Sequence, residues 1–203
     1  MIISNIILAI LALLVIVGLA RPALKDFNVH PAWAIGYFLL VIGLSFIPNV
    51  VSHNAAFTMN VGALLFFLVP LGFFLFKGKW SSKGIAFLVT LVITGIIYAV
   101  TRIFSTFTAG YMTGLNVVYA IAAGALAFVF TRNGKYSYIS AVTSMLFTGW
   151  LLQIGHTGFS LTYMWEHAVI AGATALVLHG ILALATSRPG RYSYYYEVGK
   201  LKD

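Results

Sequence analysis

The chain of 203 residues contains no cysteine, and only four of its residues are acidic. The absence of cysteine excludes disulfide bonds, thiolate metal sites, haem attachment through a C-x-x-C-H motif and a cysteine nucleophile. Charged residues make up 8% of the chain and hydrophobic residues 61%, whereas an average soluble domain is about 25% charged. A soluble fold with this composition could not cover its surface with polar groups. We therefore predict an integral membrane protein.

Seven apolar runs account for most of the chain, and a helix that spans a bilayer needs about 20 such residues. We predict one all-α membrane domain of seven transmembrane helices over residues 1–187, followed by a basic, tyrosine-rich cytoplasmic tail over residues 188–203. The first run is predicted to be a retained helix, because no basic residue precedes it as in a signal peptide. The third run is the shortest, and the polar residues at 48–62 before it leave a re-entrant loop as an alternative. The runs cover residues 2–20, 33–51, 61–76, 84–104, 115–131, 138–153 and 168–186.

Basic residues lie at alternate boundaries between these runs. Because cytoplasmic loops carry the excess of lysine and arginine, we predict the N-terminus outside and the C-terminus in the cytoplasm. Trp33 and Trp80 are then expected at the inner membrane interface and Trp165 at the outer one. The net charge of +8 reflects this topology, and no nucleic-acid partner is predicted. Only Arg102 lies near an even-numbered boundary, and the odd-numbered boundaries carry Arg21, Lys25, Lys77, Lys79, Lys83, Arg132, Lys135, Arg188, Arg191, Lys200 and Lys202.

Polar residues at membrane depth are candidates for function, because lipid cannot satisfy them. On the predicted topology they collect at the outer side, where Glu166 is the one acidic residue. We predict an outward-facing polar vestibule lined by Arg102, Glu166 and His167, with Asn60 and Asn116 as hydrogen-bonding supports. Arg102 and Glu166 would suit an anionic or zwitterionic ligand.

Other interpretations of the outer residues stay open. His53, His156, His167 and Glu166 have ligand chemistry suited to zinc or a similar divalent ion, although no two of them have the spacing H-x-x-x-H. Alternatively, Arg102 pairs with Glu166 and fastens the fourth span to the seventh, since an unpaired buried charge is expensive. The third interpretation is that these residues only contact interfacial water.

The last span contains a histidine and a row of small residues. His179 lies roughly 21 Å along the helix from Trp165, at a rise of about 1.5 Å per residue. We predict a packing role for His179, because the sequence places no carboxylate at that depth to complete a proton relay. The small residues at 120–125 and 168–175 predict faces where two helices approach closely.

Sequence motifs of the familiar enzyme classes were sought without success. The chain has no G-x-S-x-G elbow, no H-E-x-x-H pair and no Walker loop, and its apolar runs contain no aspartate. We therefore predict a non-enzymatic protein, without a cofactor, that binds or moves a small solute within the lipid bilayer. The alternative is a structural or assembly partner of another membrane protein or of a second copy. A third alternative is a metal-dependent membrane enzyme.

Two stretches carry a family resemblance, one from Asn60 to Pro70, which begins N-V-G-A, and one from Tyr138 to Gly149, which begins Y-I-S. They resemble the YphA-like group, which are small uncharacterised multi-pass membrane proteins of endospore-forming bacteria. The chain departs from this group at Ala63, where a second glycine is expected. The group has no established activity, so the resemblance implies a bacterial cytoplasmic membrane and carries over no functional residue.

Overall fold

The computed structural model describes residues 2–51, 57–76, 78–107, 112–154, 159–160 and 165–186. Over these residues the chain is almost entirely helical, which confirms the predicted all-α class. The helices are α1 (Ile2–Val17), α2 (Arg21–Phe27), α3 (Pro31–Ser45), α4 (Val61–Phe76), α5 (Trp80–Phe107), α6 (Met112–Thr131), α7 (Gly134–Gln153) and α8 (Trp165–Thr186). The strands are β1 (Val50–Val51), β2 (Phe57–Met59) and β3 (Phe159–Ser160).

Each of the seven predicted apolar runs overlaps one long helix, and α4 coincides with the third run. Two segments, Trp80–Ile103 and Trp165–Thr186, are long and apolar enough to cross a membrane by length and composition. Four further apolar helical segments are shorter, with 10–17 residues each, namely Ile2–Val17, Pro31–Ser45, Val61–Phe76 and Val117–Thr131. α2 is an additional short helix between the first two runs. The residue after it is its C-cap, Asn28, whose φ of 53° is left-handed.

The second predicted run, 33–51, is longer than the helix it contains. α3 ends at Ser45, and the end of the run forms β1. Pro48 explains the early end, because proline disfavours helical geometry at the residue before it and has no backbone N–H to donate. β1 pairs with β2 in antiparallel fashion, and β2 pairs with β3 in parallel. Within the segment 48–62, Val50–Val51 and Phe57–Met59 are thus strands, and Val61 and Gly62 begin α4. The re-entrant alternative stays a prediction, because it depends on residues 52–56, which lie outside the described residues.

The helices run between two ends of the bundle, which we call the sheet end and the basic end. At the sheet end, which carries β1–β3, Asn5 near the start of α1 donates to Ser45 Oγ at the end of α3, at 2.8 Å. At the basic end, which carries α2 and residues 78–79 and 132–133, the N–H of Gly134 donates to Asp26 Oδ2 at 2.7 Å. The seven long helices therefore alternate in direction, and the start of α1 and the end of α8 lie at opposite ends.

α7 lies at the centre of the bundle and packs against α4, α5, α6 and α8. Its side chains are buried over the whole stretch from Ser137 to Met145, although many of them carry hydroxyl groups. The buried serine and threonine hydroxyls of α7 donate to backbone carbonyls, as when Ser140 Oγ donates to the carbonyl of Ala86 at 3.0 Å. In return, Thr94 of α5 donates to the carbonyl of Ser144 at 3.3 Å. Hydrogen bonds thus make a relatively polar helix suitable for the core.

α6 and α8 approach each other through their small residues, as the sequence predicted. A Cβ atom built on Gly124 would lie 2.3 Å from the carbonyl oxygen of Ala171. Only a glycine permits this approach of one helix backbone to another. The alanines on the two faces are all fully buried, namely Ala120, Ala123, Ala127, Ala168, Ala171 and Ala175.

Candidate functional site

The start of α8, at the sheet end, carries the most unusual polar groups of the predicted outer cluster. Trp165 is 0% exposed, and its indole Nε1 has no hydrogen-bond partner among the residues that the structure describes. Nδ1 of the half-buried His167 is likewise buried and unpartnered. Between these two residues stands Glu166, which is half-buried. A buried polar atom without a partner costs about 1–3 kcal/mol, so two of them beside a carboxylate mark this place as a candidate binding site.

The burial of Trp165 corrects the prediction that it lies at the membrane interface. Trp33 and Trp80, at the basic end, are 78% and 85% exposed, as expected of interfacial residues, whereas Trp165 belongs to the core. An indole has a large apolar surface and a single polar atom, so the sequence alone did not distinguish the interface from the interior.

Arg102 lies on the last described turns of α5, and its side chain is exposed. Its Nε donates to the hydroxyl of Tyr98 at 3.3 Å, and its guanidinium lies 5.4 Å from the centre of the Tyr98 ring. α5 packs mainly against α6 and α7, and α8 packs mainly against α1, α6 and α7. The Arg102–Glu166 ion pair stays a prediction.

Asn60 occupies a different place, the corner between α3 and α4, where it is fully buried. Its Oδ1 accepts from the N–H groups of Gly62 and Ala63 at 2.9 and 3.3 Å, which caps the start of α4. Its Nδ2 donates to the carbonyls of Ser45 and Ile47 at 3.2 and 3.0 Å. The amide of Asn60 is therefore occupied in joining two helices, and we do not include it in the proposed site.

The side chains of three predicted site residues lie outside the part of the chain that the structure describes. His53 and His156 lie outside the described residues, and Asn116 lies on α6, with its side chain outside the description. The described residues contain no group of three histidine or acidic side chains that could hold a metal ion. The metal site thus stays a prediction that depends on His53 and His156.

One pair of titratable residues was missed in the sequence. Asp26 Oδ2 lies 3.1 Å from His179 Nε2 at the basic end, so the statement that no carboxylate accompanies His179 was wrong. The carboxylate comes from α2, between the first two apolar runs, and reaches α8 because the two helices pack together. The only available signal was that both residues lie toward the predicted cytoplasmic side.

Comparison with protein-family models, with curated proteins and with solved structures finds no match. The fold is a mainly helical bundle with apolar helices at its periphery. At its centre lies α7, whose buried serine and threonine hydroxyls are hydrogen-bonded. Its resemblance to the YphA-like group stays a prediction.

Proposed function

We propose that this protein is a seven-span protein of the bacterial cytoplasmic membrane. In this proposal it binds or moves a small solute through a polar vestibule at its sheet end. The vestibule faces the outside, the N-terminus lies outside and the C-terminus lies in the cytoplasm. Arg102, Asn116, Glu166 and His167 line it, and Trp165 forms its base.

The distribution of apolar side chains supports the membrane location. Large hydrophobic residues are exposed along the long helices, among them Leu13, Leu88, Val118 and Ile181, while hydroxyl groups are buried in the core. Soluble monomers rarely expose apolar patches larger than a few hundred Å². In a bilayer the same surface faces lipid at no cost.

The orientation follows from the gathering of charge at one end. Lys25, Lys79 and Arg132 lie in segments that meet at the basic end, and Arg102 lies on the half of α5 that leads away from it. The positive-inside rule puts such an end in the cytoplasm.

The observation that carries the solute-binding proposal is the pair of unpartnered ring nitrogens at the start of α8. An indole N–H can only donate, so Trp165 Nε1 requires an acceptor that the described part of the chain does not supply. A bound solute with an anionic or zwitterionic group would provide this acceptor, and the guanidinium of Arg102 would favour its negative charge. His167 Nδ1 and Glu166 would then contact the polar or cationic part of the solute.

The assembly-partner alternative gains no support from the packing. A partner protein would be expected to leave its small-residue faces open for docking, but the faces of α6 and α8 that contain Gly124 and Ala171 are buried against each other. The non-enzymatic role predicted from the sequence is part of the solute-binding proposal.

Labelling of single cysteines tests the vestibule, because the chain has no cysteine of its own. Arg102→Cys, Asn116→Cys and Glu166→Cys are made separately and treated in intact cells with a membrane-impermeant maleimide. We expect all three thiols to be labelled from outside. Ile103→Cys is the matched control, because Ile103 follows Arg102 on α5 and is 57% exposed on the apolar surface; a thiol there lies in lipid and stays unlabelled.

Lys79→Cys, at the basic end, serves as the control for orientation, and we expect it to react only after the cells are permeabilised. Labelling of Lys79→Cys from outside would reverse the proposed topology. Protection of both Asn116→Cys and Glu166→Cys in intact cells would mean a sealed bundle, and the solute-binding proposal would then fail in favour of the assembly partner.

A further inference from the structure

The basic end of the bundle holds a carboxylate and an imidazole in direct contact. Asp26 Oδ2 lies 3.1 Å from His179 Nε2 and also accepts a 2.7 Å hydrogen bond from the backbone N–H of Gly134. A carboxylate oxygen can only accept, so the hydrogen between the two side chains belongs to His179 Nε2. In the neutral imidazole the lone pair is then on Nδ1.

Nδ1 of His179 is buried, and it has no hydrogen-bond partner in the part of the chain that the structure describes. It is the atom that takes up a proton when the imidazole becomes an imidazolium ion. The new positive charge would be shared over a ring whose other nitrogen touches the carboxylate of Asp26. The side chains of His179 and Asp26 are 13% and 27% exposed, so the pair lies at the edge of the basic end, although Nδ1 itself is buried. We infer that Asp26 and His179 form a proton-binding site.

The surrounding backbone is shaped to hold this pair. A Cβ atom on Gly134 would lie 2.8 Å from His179 Cδ2 and 3.1 Å from Asp26 Oδ2, so only glycine at the start of α7 leaves room for both side chains. The positive end of the α7 dipole attracts the carboxylate. Asn133 completes the cap, because its Oδ1 accepts from the N–H of Tyr136 at 3.2 Å.

Other charged groups near the pair are few within the described residues. Lys25 and Arg132 are exposed, and the buried Lys135 places its Nζ over the ring of Tyr136 at 5.3 Å. His30, which precedes α3, is exposed and accepts from the N–H of Ala32. α1 carries no titratable side chain, and the described side chains of α6 include only Tyr119. Within the described ranges, Asp26 is therefore the one acidic side chain shown in contact with His179.

The use of this site for solute movement rests on the proposed function. Asp26 belongs to α2 and His179 to α8, and the pair joins both to the start of α7. A proton that arrives at or leaves this junction changes the attraction between the three helices at the cytoplasmic end. The proton site would thereby couple the packing of helices at the basic end to the state of the vestibule at the sheet end.

Nuclear magnetic resonance of the imidazole nitrogens tests the proton site without any solute. The full-length protein, labelled at its histidines with ¹⁵N, is placed in lipid nanodiscs and titrated from about pH 9 to about pH 5, the range in which histidine changes charge. The signals of His179 are those lost in His179→Gln. We expect one neutral tautomer, with the proton on Nε2, at high pH and the imidazolium ion at low pH. In Asp26→Asn, half-protonation of His179 should require a higher proton concentration, because the neighbouring negative charge is gone.

A His179 that keeps its neutral tautomer over the whole range would overturn the proton site, and so would an unchanged titration in Asp26→Asn. Gly134→Ala gives a second test, because its Cβ displaces the pair and should weaken proton binding in the same direction. Coupling between the proton site and the vestibule is tested with the maleimide as probe. Labelling of Asn116→Cys is measured as a function of pH, once in the otherwise unchanged protein and once together with Asp26→Asn. If labelling depends on pH equally in the two proteins, the coupling proposal is overturned. If Asn116→Cys is not labelled at all, the vestibule is overturned, and the magnetic resonance result alone decides the proton site.

Discussion

Gly124→Ala should lower the free energy of unfolding by about 2 kcal/mol. The added Cβ would lie 2.3 Å from the carbonyl oxygen of Ala171 and 2.8 Å from Thr174 Cβ. Because the first of these atoms belongs to the backbone, no change of rotamer relieves the overlap, and α6 and α8 must separate along their shared small-residue face. Overpacking of this kind costs about 3 kcal/mol, and the better helix propensity of alanine recovers about 1 kcal/mol.

The measurement is unfolding of the purified protein in mild detergent by increasing amounts of a denaturing detergent, followed by far-UV circular dichroism. Gly95→Ala is the matched control, because a Cβ on Gly95 of α5 has no atom within 4 Å. It gains helix propensity without overlap, so its stability should be unchanged or raised by up to about 1 kcal/mol. Equal stability of the two variants would show that α6 and α8 are not packed as described.

Asn60→Ala should lower the free energy of unfolding by about 3 kcal/mol. The substitution removes the cap of α4 and leaves the carbonyls of Ser45 and Ile47 without the donor that Nδ2 provides. Loss of a cap costs about 1 kcal/mol, and each buried group left unpaired adds about 1 kcal/mol or more. The same detergent titration measures the effect.

Asn49→Ala is the control for this prediction. Asn49 is exposed, and its Oδ1 accepts only one of the hydrogen bonds that Asn60 donates, at 3.3 Å. Surface substitutions of this kind change stability by about 0.5 kcal/mol or less. If Asn60→Ala were no more harmful than Asn49→Ala, the corner between α3 and α4 would be held by packing alone.

Much of the helical framework could be predicted from the sequence, because a long apolar run has few ways to satisfy its backbone other than as a helix. The third run became α4 without change, and the small residues around Gly124 and Ala171 correctly indicated a close helix contact. The prediction for the second run was wrong at its C-terminal end, where Pro48 stops helical geometry although the residues around it are mostly apolar. Hydrophobicity measures burial from water and does not by itself distinguish a helix end from a strand.

The candidate sites could be predicted only in part. Arg102, Glu166 and His167 stood out because polar residues are rare in this chain, but the role of Trp165 did not, since an indole suits an interface and a core equally well. Asn60 was predicted to be a hydrogen-bonding support of the vestibule, yet its hydrogen bonds go to the backbone around it. Such local partners depend on the exact path of the chain after α3.

The sequence by itself determined that this is an all-helical chain with seven long apolar segments, because composition and run length act locally and need no knowledge of neighbours. It also determined the collection of basic residues at alternate boundaries. Only the tertiary structure decided that Asp26 meets His179, that Trp165 is buried with an unpartnered nitrogen, and that α7 is central. These features depend on which helices pack together, and packing partners are set by the shapes and hydrogen bonds of residues far apart in the chain.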